Sequence, residues 1–277
     1  MRHSTAQIIP LRRSSLREIR TASIHSAGVR INGSRNEVWL CPAYSGADTV
    51  MLYVKPGLTV RQLVAELVAA QVGHCLGLPC PDPFIASVAP HHVGRARGPT
   101  MLAFGCQQVG PTSLAYPVRN LSLMLDLLRK AKATEGVCVL DEWIANAVRG
   151  PGDIVFDAQQ SVWLIDHEGA LEAHIRPDEA VTNWLAGQLD ITLQTRSERA
   201  EFLGRLHQLA RSLTVAQIHG VPPEMRDIER GDSTYAAVLE FLAARLDHLG
   251  SLLSARVIPE QRAFDMRDPS NDSASIA

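Results

Sequence analysis

The sequence has no run near the roughly 20 consecutive apolar residues that a membrane-spanning helix needs. Its start sets Arg2, Arg12 and Arg13 around only a short apolar stretch, residues 8–11, which is not the form of an export signal. A cytoplasmic protein without membrane contact is expected. Excess charge of either sign is also missing. The 27 basic and 29 acidic residues leave a formal net charge of −2, so there is no overall positive field to hold DNA or RNA, and no direct nucleic-acid partner is expected. Cysteine is sparse. Cys41, Cys75, Cys80, Cys106 and Cys138 are odd in number, scattered and without a CxxC pair, which argues against a disulfide scaffold and a zinc site. No GxGxxG loop occurs near the first strand-like segments, leaving Gly28, Gly33 and Ser34 as the residues there able to cover a phosphate. Lysine is nearly absent: of the 27 basic residues only Lys55, Lys130 and Lys132 are lysines.

What is present falls into two regions. Segments 22–25, 37–41 and 49–54 have strand character and are separated by Gly28, Asn32-Gly33 and Ser45-Gly46. Asn-Gly between apolar runs is a hairpin signal, and the expected sheet is antiparallel. Residues 59–76 switch to helical period, with Val60, Leu63, Val64, Leu67, Val68 and Val72 on one stripe, Thr59 as N-cap and Gly77 at the end. A proline-rich turn at 78–83 stops this helix, and 84–88 and 101–109 read as two further strands. Beyond Gly110-Pro111 helices are expected at 119–133, 137–148, 178–189, 197–212 and 234–254, interrupted by a hairpin at 154–156 and 162–165. Residues 1–20 read as a weakly ordered lead, and the tail over 259–277 as disordered for want of apolar mass.

One constellation carries chemistry. A lysine ends a strand (Tyr53-Val54-Lys55), a glutamate lies in the next helix (Glu66), a polar turn runs over 146–153, and an aspartate ends the hairpin (Leu164-Ile165-Asp166). Phosphoryl transfer uses such a set: a Lys held by a Glu positions phosphates, a carboxylate after a strand binds Mg²⁺, and the polar loop carries a base and a second metal ligand. A strand-end lysine is ordinarily a solvated edge charge. In a chain that otherwise uses arginine, however, a compact ammonium at this position points to a phosphate clamp. Glu66 alone reads equally as a solvent-facing helix residue, and Asp166 alone as a turn aspartate. His91-His92, beside Arg95 and Arg97, reads as a solvated loop with no third ligand, and Ser4, Ser14 and Ser15 beside arginines as unspecific phosphorylation candidates.

The stretch MLYVKPGLTVRQLVAELVAAQVGHCLGLPCPDPFIASV resembles the HipA-like kinases in its strand lysine, helix Glu-Leu and GLPxPxP turn into a strand. LDEWIANAVRGPGDIVFDAQQSVWLIDHEGAL is similar to that family's DxWIxNxDRxxxN loop followed by its WLIDHG strand, and GVPPEM with LEFLAARLDHL has the shape of its closing helices. The resemblance spans roughly residues 22–255. It implies an α+β, bilobal protein-kinase-like fold, with an antiparallel-sheet N-lobe over 21–110 and a mainly helical C-lobe over 111–258. It further implies ATP and Mg²⁺ as ligands and an unidentified hydroxyl acceptor, a protein or a small molecule. Lys55 becomes the phosphate lysine, Glu66 its partner, Asp166 the principal Mg²⁺ ligand, and Phe104-Gly105-Cys106 a candidate hinge beside adenine. The same alignment puts Val148 where the family has its catalytic-loop aspartate, and Asp153 where it has the second metal-binding asparagine. Valine accepts no proton. Either Asp153 serves metal and acceptor, Asp141 reaches the acceptor instead of bracing its own helix, or the chain is a pseudokinase that acts through binding.

Overall fold

The computed structural model describes residues 19–32, 36–109, 116–117, 121–156, 161–193, 195–218 and 220–257. The serines at 4, 14 and 15, Gly33, Ser34 and most of the expected lead and tail lie outside them. Among the described residues, no helix is long and apolar enough to cross a membrane. Both strands and helices are present, an α+β composition.

The N-terminal sheet is built from β1 (Arg20–Ile24), β2 (Val29–Ile31), β3 (Val38–Ser45), β4 (Asp48–Lys55), β5 (Pro83–Val88) and β6 (Met101–Gln107). Its order is β1-β5-β6-β4-β3-β2, and β1 also meets β3, so five strands form a closed circuit. The β3–β4 hairpin turns at Gly46, whose φ of +61° suits the residue without a Cβ. The expectation of a purely antiparallel sheet needs one correction: β1 pairs in parallel with β5, Arg20 opposite Phe84. Pairing between segments some sixty residues apart leaves no local trace in the sequence. Inside the circuit lies a small core that includes Cys41, Ala43, Leu52, Val54, Phe84 and Ala86.

Helix α1 (Val60–Cys75) follows β4 directly. Thr59 and Gln62 form a reciprocal cap: Thr59 Oγ1 accepts from the Gln62 amide at 3.3 Å, and Gln62 Oε1 accepts from the Thr59 amide at 3.0 Å. Its apolar stripe, Leu63, Val64, Leu67, Val68 and Val72, is buried in a second and larger core that continues into the helices beyond. Those helices are α2 (Leu121–Lys130), α3 (Thr134–Trp143), α4 (Trp184–Thr192), α5 (Arg196–Arg211) and α6 (Gly231–Val257). A small antiparallel sheet joins β7 (Tyr116–Pro117), which precedes α2, to β8 (Ile154–Phe156) and β9 (Val162–Leu164), which lie between α3 and α4 in the chain. Helix α6 packs on α1, α3, α4 and α5, and Trp143 donates from Nε1 to the Leu242 carbonyl at 3.0 Å, tying α3 to it.

Two helix boundaries depart from expectation for identifiable reasons. The helix expected to run to 148 ends at Trp143, because Ala145 takes a left-handed φ of +50°. The Asn146 amide then reaches back to the Asp141 carbonyl at 2.8 Å and the Ala145 amide to that of Glu142 at 3.3 Å. This is the helix-ending pattern normally given to glycine, at a cost of about 1–2 kcal/mol for alanine. The helix expected from 178 starts at Trp184, since the carbonyls of Arg176, Pro177 and Glu179 all accept from Arg245 Nη1 and hold that segment open.

Candidate nucleotide and metal site

Lys55 is the last residue of β4, and its side chain is only 8% exposed. Around its Nζ converge three carboxylates: Glu66 from α1 at 2.5 Å, Glu168 at 2.5 Å, and Asp166 in direct contact. Asp166 follows β9 with a left-handed φ of +58°. That conformation is uncommon outside glycine, though Asp tolerates it better than most residues. The buried backbone amide of His167 donates to Glu66 Oε2 at 3.0 Å, so Glu66 is held from both sides. One carboxylate oxygen each of Glu66, Asp166 and Glu168 lie within 4.8 Å of one another.

With one cation among three carboxylates, the cluster has a formal excess of two negative charges. Burial would drive the Lys55 ammonium to lose its proton, but Glu66, Asp166 and Glu168 hold it firmly charged. Burial pushes the Glu66 carboxyl up, and Lys55 with the His167 hydrogen bond more than reverses this, leaving Glu66 well below the usual carboxylate range. Glu168 goes the other way. Burial raises it, Lys55 only partly offsets that, and repulsion from Asp166 and Glu66 adds to the rise. The lysine therefore fully compensates Glu66 and leaves Glu168 undercompensated.

The cluster lies against a cavity of about 460 Å³, within the range of small-molecule sites. Apolar walls come from Ile31, Val38, Ala70, Val155 and Leu164, with Asn32 also lining it. Phe104 and Cys106 face the cavity from β6. Gly105 does not. Alternation along the strand turns it to the opposite face, where a Cβ would meet Leu52, Ala86 and Phe84. Its neighbours are Val54 on β4 and Phe84 on β5, so its stretch of backbone is committed to the sheet. Beyond the expected hinge, Gln107 and Val109 also line the cavity, where the chain leaves the sheet. Burial pushes the Cys106 thiol up to about 12, a packing group rather than a nucleophile. Gly28 stands away from the cavity against Cys41, its amide donating to the His92 carbonyl at 2.9 Å.

Asp153 also lines the cavity, yet it stands outside the group of three carboxylates found among the described residues. Its Oδ2 accepts from the Gly150 amide at 2.8 Å, and burial raises its carboxyl. Asp141 is fully buried and engaged within the loop: both its oxygens are 2.9 Å from Arg149 Nε, and Asn146 Nδ2 donates to it at 3.2 Å. Arg149 Nη1 continues to the carbonyl of Ile165 at 3.2 Å, fixing the loop to the end of β9. Val148 is 56% exposed on that braced loop. A Cβ on residue 169 would come within 2.3 Å of its Cγ2, so Gly169 is what lets the two segments approach. Glu168 was not singled out from the sequence. The left-handed turn at Asp166 that brings it to Lys55 leaves no mark in the sequence.

The family model described as HipA-like kinase matches residues 25–249. No curated protein matches the chain. Among solved structures, the Helicobacter pylori proinflammatory kinase CtkA is similar over 86% of this chain and 96% of its own, with 12% identical residues and a TM-score of 0.49. Because the family model takes in both the Lys55–Glu66 segment and the loop and hairpin that end at Asp166, and well over half of the residues, the chain belongs to the HipA-like kinase family.

Proposed function

We propose that the protein is an ATP- and Mg²⁺-dependent phosphotransferase of two-lobed, protein-kinase-like architecture, with lobes over about 21–110 and 111–258 and the cavity between them as its nucleotide site. The observation that carries the reading is Lys55, nearly buried, bound by Glu66 of α1 and facing Asp166 at the end of β9. The acceptor is a hydroxyl of a protein or a similar molecule.

The residues fit the metal. Their donors are hard carboxylate oxygens of the kind Mg²⁺ prefers, and the excess of two negative charges is what a divalent cation neutralises. Asp166 and Glu168, both partly open to solvent, would hold it, while Glu66 stays with Lys55. Held there, Mg²⁺ would supply neutralisation of charge on the phosphate oxygens. Lys55 orients the phosphates, the apolar walls exclude water from the base, and the Asp141–Arg149 brace keeps the catalytic loop in place. Because positioning and electrostatics supply most of phosphoryl transfer, an intact clamp supports slow turnover even where Val148 replaces the proton-accepting aspartate.

Val148 also favours a second reading, a pseudokinase that binds nucleotide and works through contacts. Calorimetry of ATP with Mg²⁺ on wild type, Lys55→Ala and Asp166→Asn, with radiolabelled phosphate transfer, separates the two. The expected result is binding that both substitutions weaken, slow transfer by wild type, and a rise of roughly 10²–10⁴-fold in Val148→Asp. Binding without transfer in wild type and Val148→Asp alike would leave the pseudokinase, and no binding by wild type would remove the site.

A further inference from the structure

A lysine ammonium has three N–H groups, and here three carboxylates account for them: Glu66, Asp166 and Glu168. No donor remains for a phosphate. Glu66 is buried in α1 and held by the His167 amide as well, and Asp166 lies two residues beyond the last residue of β9. Glu168 binds Lys55 through one carboxylate oxygen. Its second carboxylate oxygen accepts from Asn36 Nδ2, in the connection between β2 and β3. One side chain thus links the β2–β3 connection to Lys55.

Resting on the nucleotide reading above, we propose that Glu168 is a specificity-determining residue that admits the nucleotide as its divalent-metal complex and excludes the metal-free form. A bare nucleotide has to take Lys55 from Glu168. That leaves the displaced carboxylate beside Asp166, Glu66 and the phosphates, with no cation to replace the one it lost. Like charges brought together this way are strongly unfavourable. A nucleotide arriving with its cation meets no such obstacle. Glu168 and Asp166 would hold the cation, leaving Lys55 free for the phosphates. Asn36 holds Glu168 in the lysine-bound position, so the latch and the competitor are one contact network.

The test is calorimetric titration of the full chain with ATP in chelator and with ATP plus Mg²⁺. The proteins are wild type, Glu168→Gln, Asn36→Ala, and Glu172→Gln as a control that removes a nearby charge facing Arg61 instead of Lys55. Glu168→Gln is expected to tighten metal-free ATP at least about tenfold without tightening Mg–ATP, so that the preference for the metal complex collapses. Asn36→Ala should move the same way by less, and Glu172→Gln should keep the wild-type ratio. Glu168→Ala gives the same readout if the amide variant melts abnormally. A wild-type ratio in both Glu168 variants, or an equal fall in Glu172→Gln, overturns the proposal while the nucleotide site stands. If folded wild type binds neither form of ATP, the nucleotide reading fails and this proposal with it.

Discussion

Two buried ion clusters lie within one loop and one hairpin of each other, and they are built on opposite terms. The Asp141–Arg149 pair is one cation on one carboxylate, both with fully buried side chains, with Asn146 and the carbonyls of Asp153 and Ile165 taking up further hydrogen-bonding capacity. The Lys55 cluster is one cation on three carboxylates, and it lines a cavity. A balanced pair has no need of a ligand and serves as a brace. An unbalanced one stays undercompensated until something positive arrives, so charge imbalance, more than burial, separates the place where chemistry is expected from the place that holds it in shape.

Breaking the balanced pair should have the largest effect on stability. Arg149→Met strands a fully buried carboxylate and releases the end of β9, and a loss of about 3–5 kcal/mol in chemical denaturation is expected. The double variant Asp141→Leu/Arg149→Met should recover much of that loss, because replacing both charges removes the unpaired one. If the single and double variants are equally unstable, the hydrogen bonds to the Asp153 and Ile165 carbonyls, and not the ion pair, are the brace.

Breaking the unbalanced cluster should show mainly in binding. Lys55→Met is expected to weaken Mg–ATP at least about 100-fold, equivalent to about 2.7 kcal/mol, while costing less stability than Arg149→Met. Asp166 and Glu168 are partly solvated, so water and protons can relieve their repulsion. A stability loss as large as that of Arg149→Met, with Mg–ATP affinity retained, would make Lys55 a structural cation and erase the contrast between the clusters.

The pH dependence should separate the clusters further. Glu66 is held from its ordinary 4.5 down to about 2, so the unfolded chain takes up this proton more readily than the folded one. The stability Glu66 contributes is complete above about 4.5 and is lost as pH falls through the folded value. Glu66→Gln should therefore be less stable than wild type at pH 7, by about 1–3 kcal/mol, and the two should converge between pH 4.5 and 2. Urea midpoints across that window measure it, and a gap that stays constant would rule out the Glu66 charge as its source.

The same contrast explains what the sequence made legible. Lys55, Glu66 and Asp166 stood out because chain order alone, strand then helix then hairpin, carries the information, and Thr59 with Gln62 marked the start of α1. Gly105 was grouped with Phe104 and Cys106 by adjacency, although strand alternation puts it on the opposite face. The antiparallel expectation missed the β1–β5 pair, which depends on contact between distant segments. Ala145 was invisible as a helix end because nothing in alanine announces a left-handed φ. Glu168 joins Glu66 and Asp166 around Lys55, whereas Asp153 lines the cavity outside that group among the described residues. A motif assigns ligands by position along the chain, whereas the left-handed turn at Asp166 and the Gly150 amide on Asp153 decide which carboxylates meet.

The smallest expected effect is the sharpest test of charge imbalance. Burial, with repulsion from Asp166 and Glu66, raises the Glu168 carboxyl despite Lys55. For a group raised in the folded state, the sign is opposite to that of Glu66: the folded protein binds this proton more readily than the unfolded chain, and stability is lost as pH rises through the folded value. Removing the charge should then help at neutral pH. Glu168→Gln is expected to melt roughly 2 °C above wild type at pH 7, with the gain vanishing by about pH 4, where the wild-type carboxyl is protonated as well. A lower melting temperature at pH 7 would mean that the contacts to Lys55 and Asn36 outweigh the repulsion. The cluster would then be a second brace, and its three carboxylates would no longer argue for a cation.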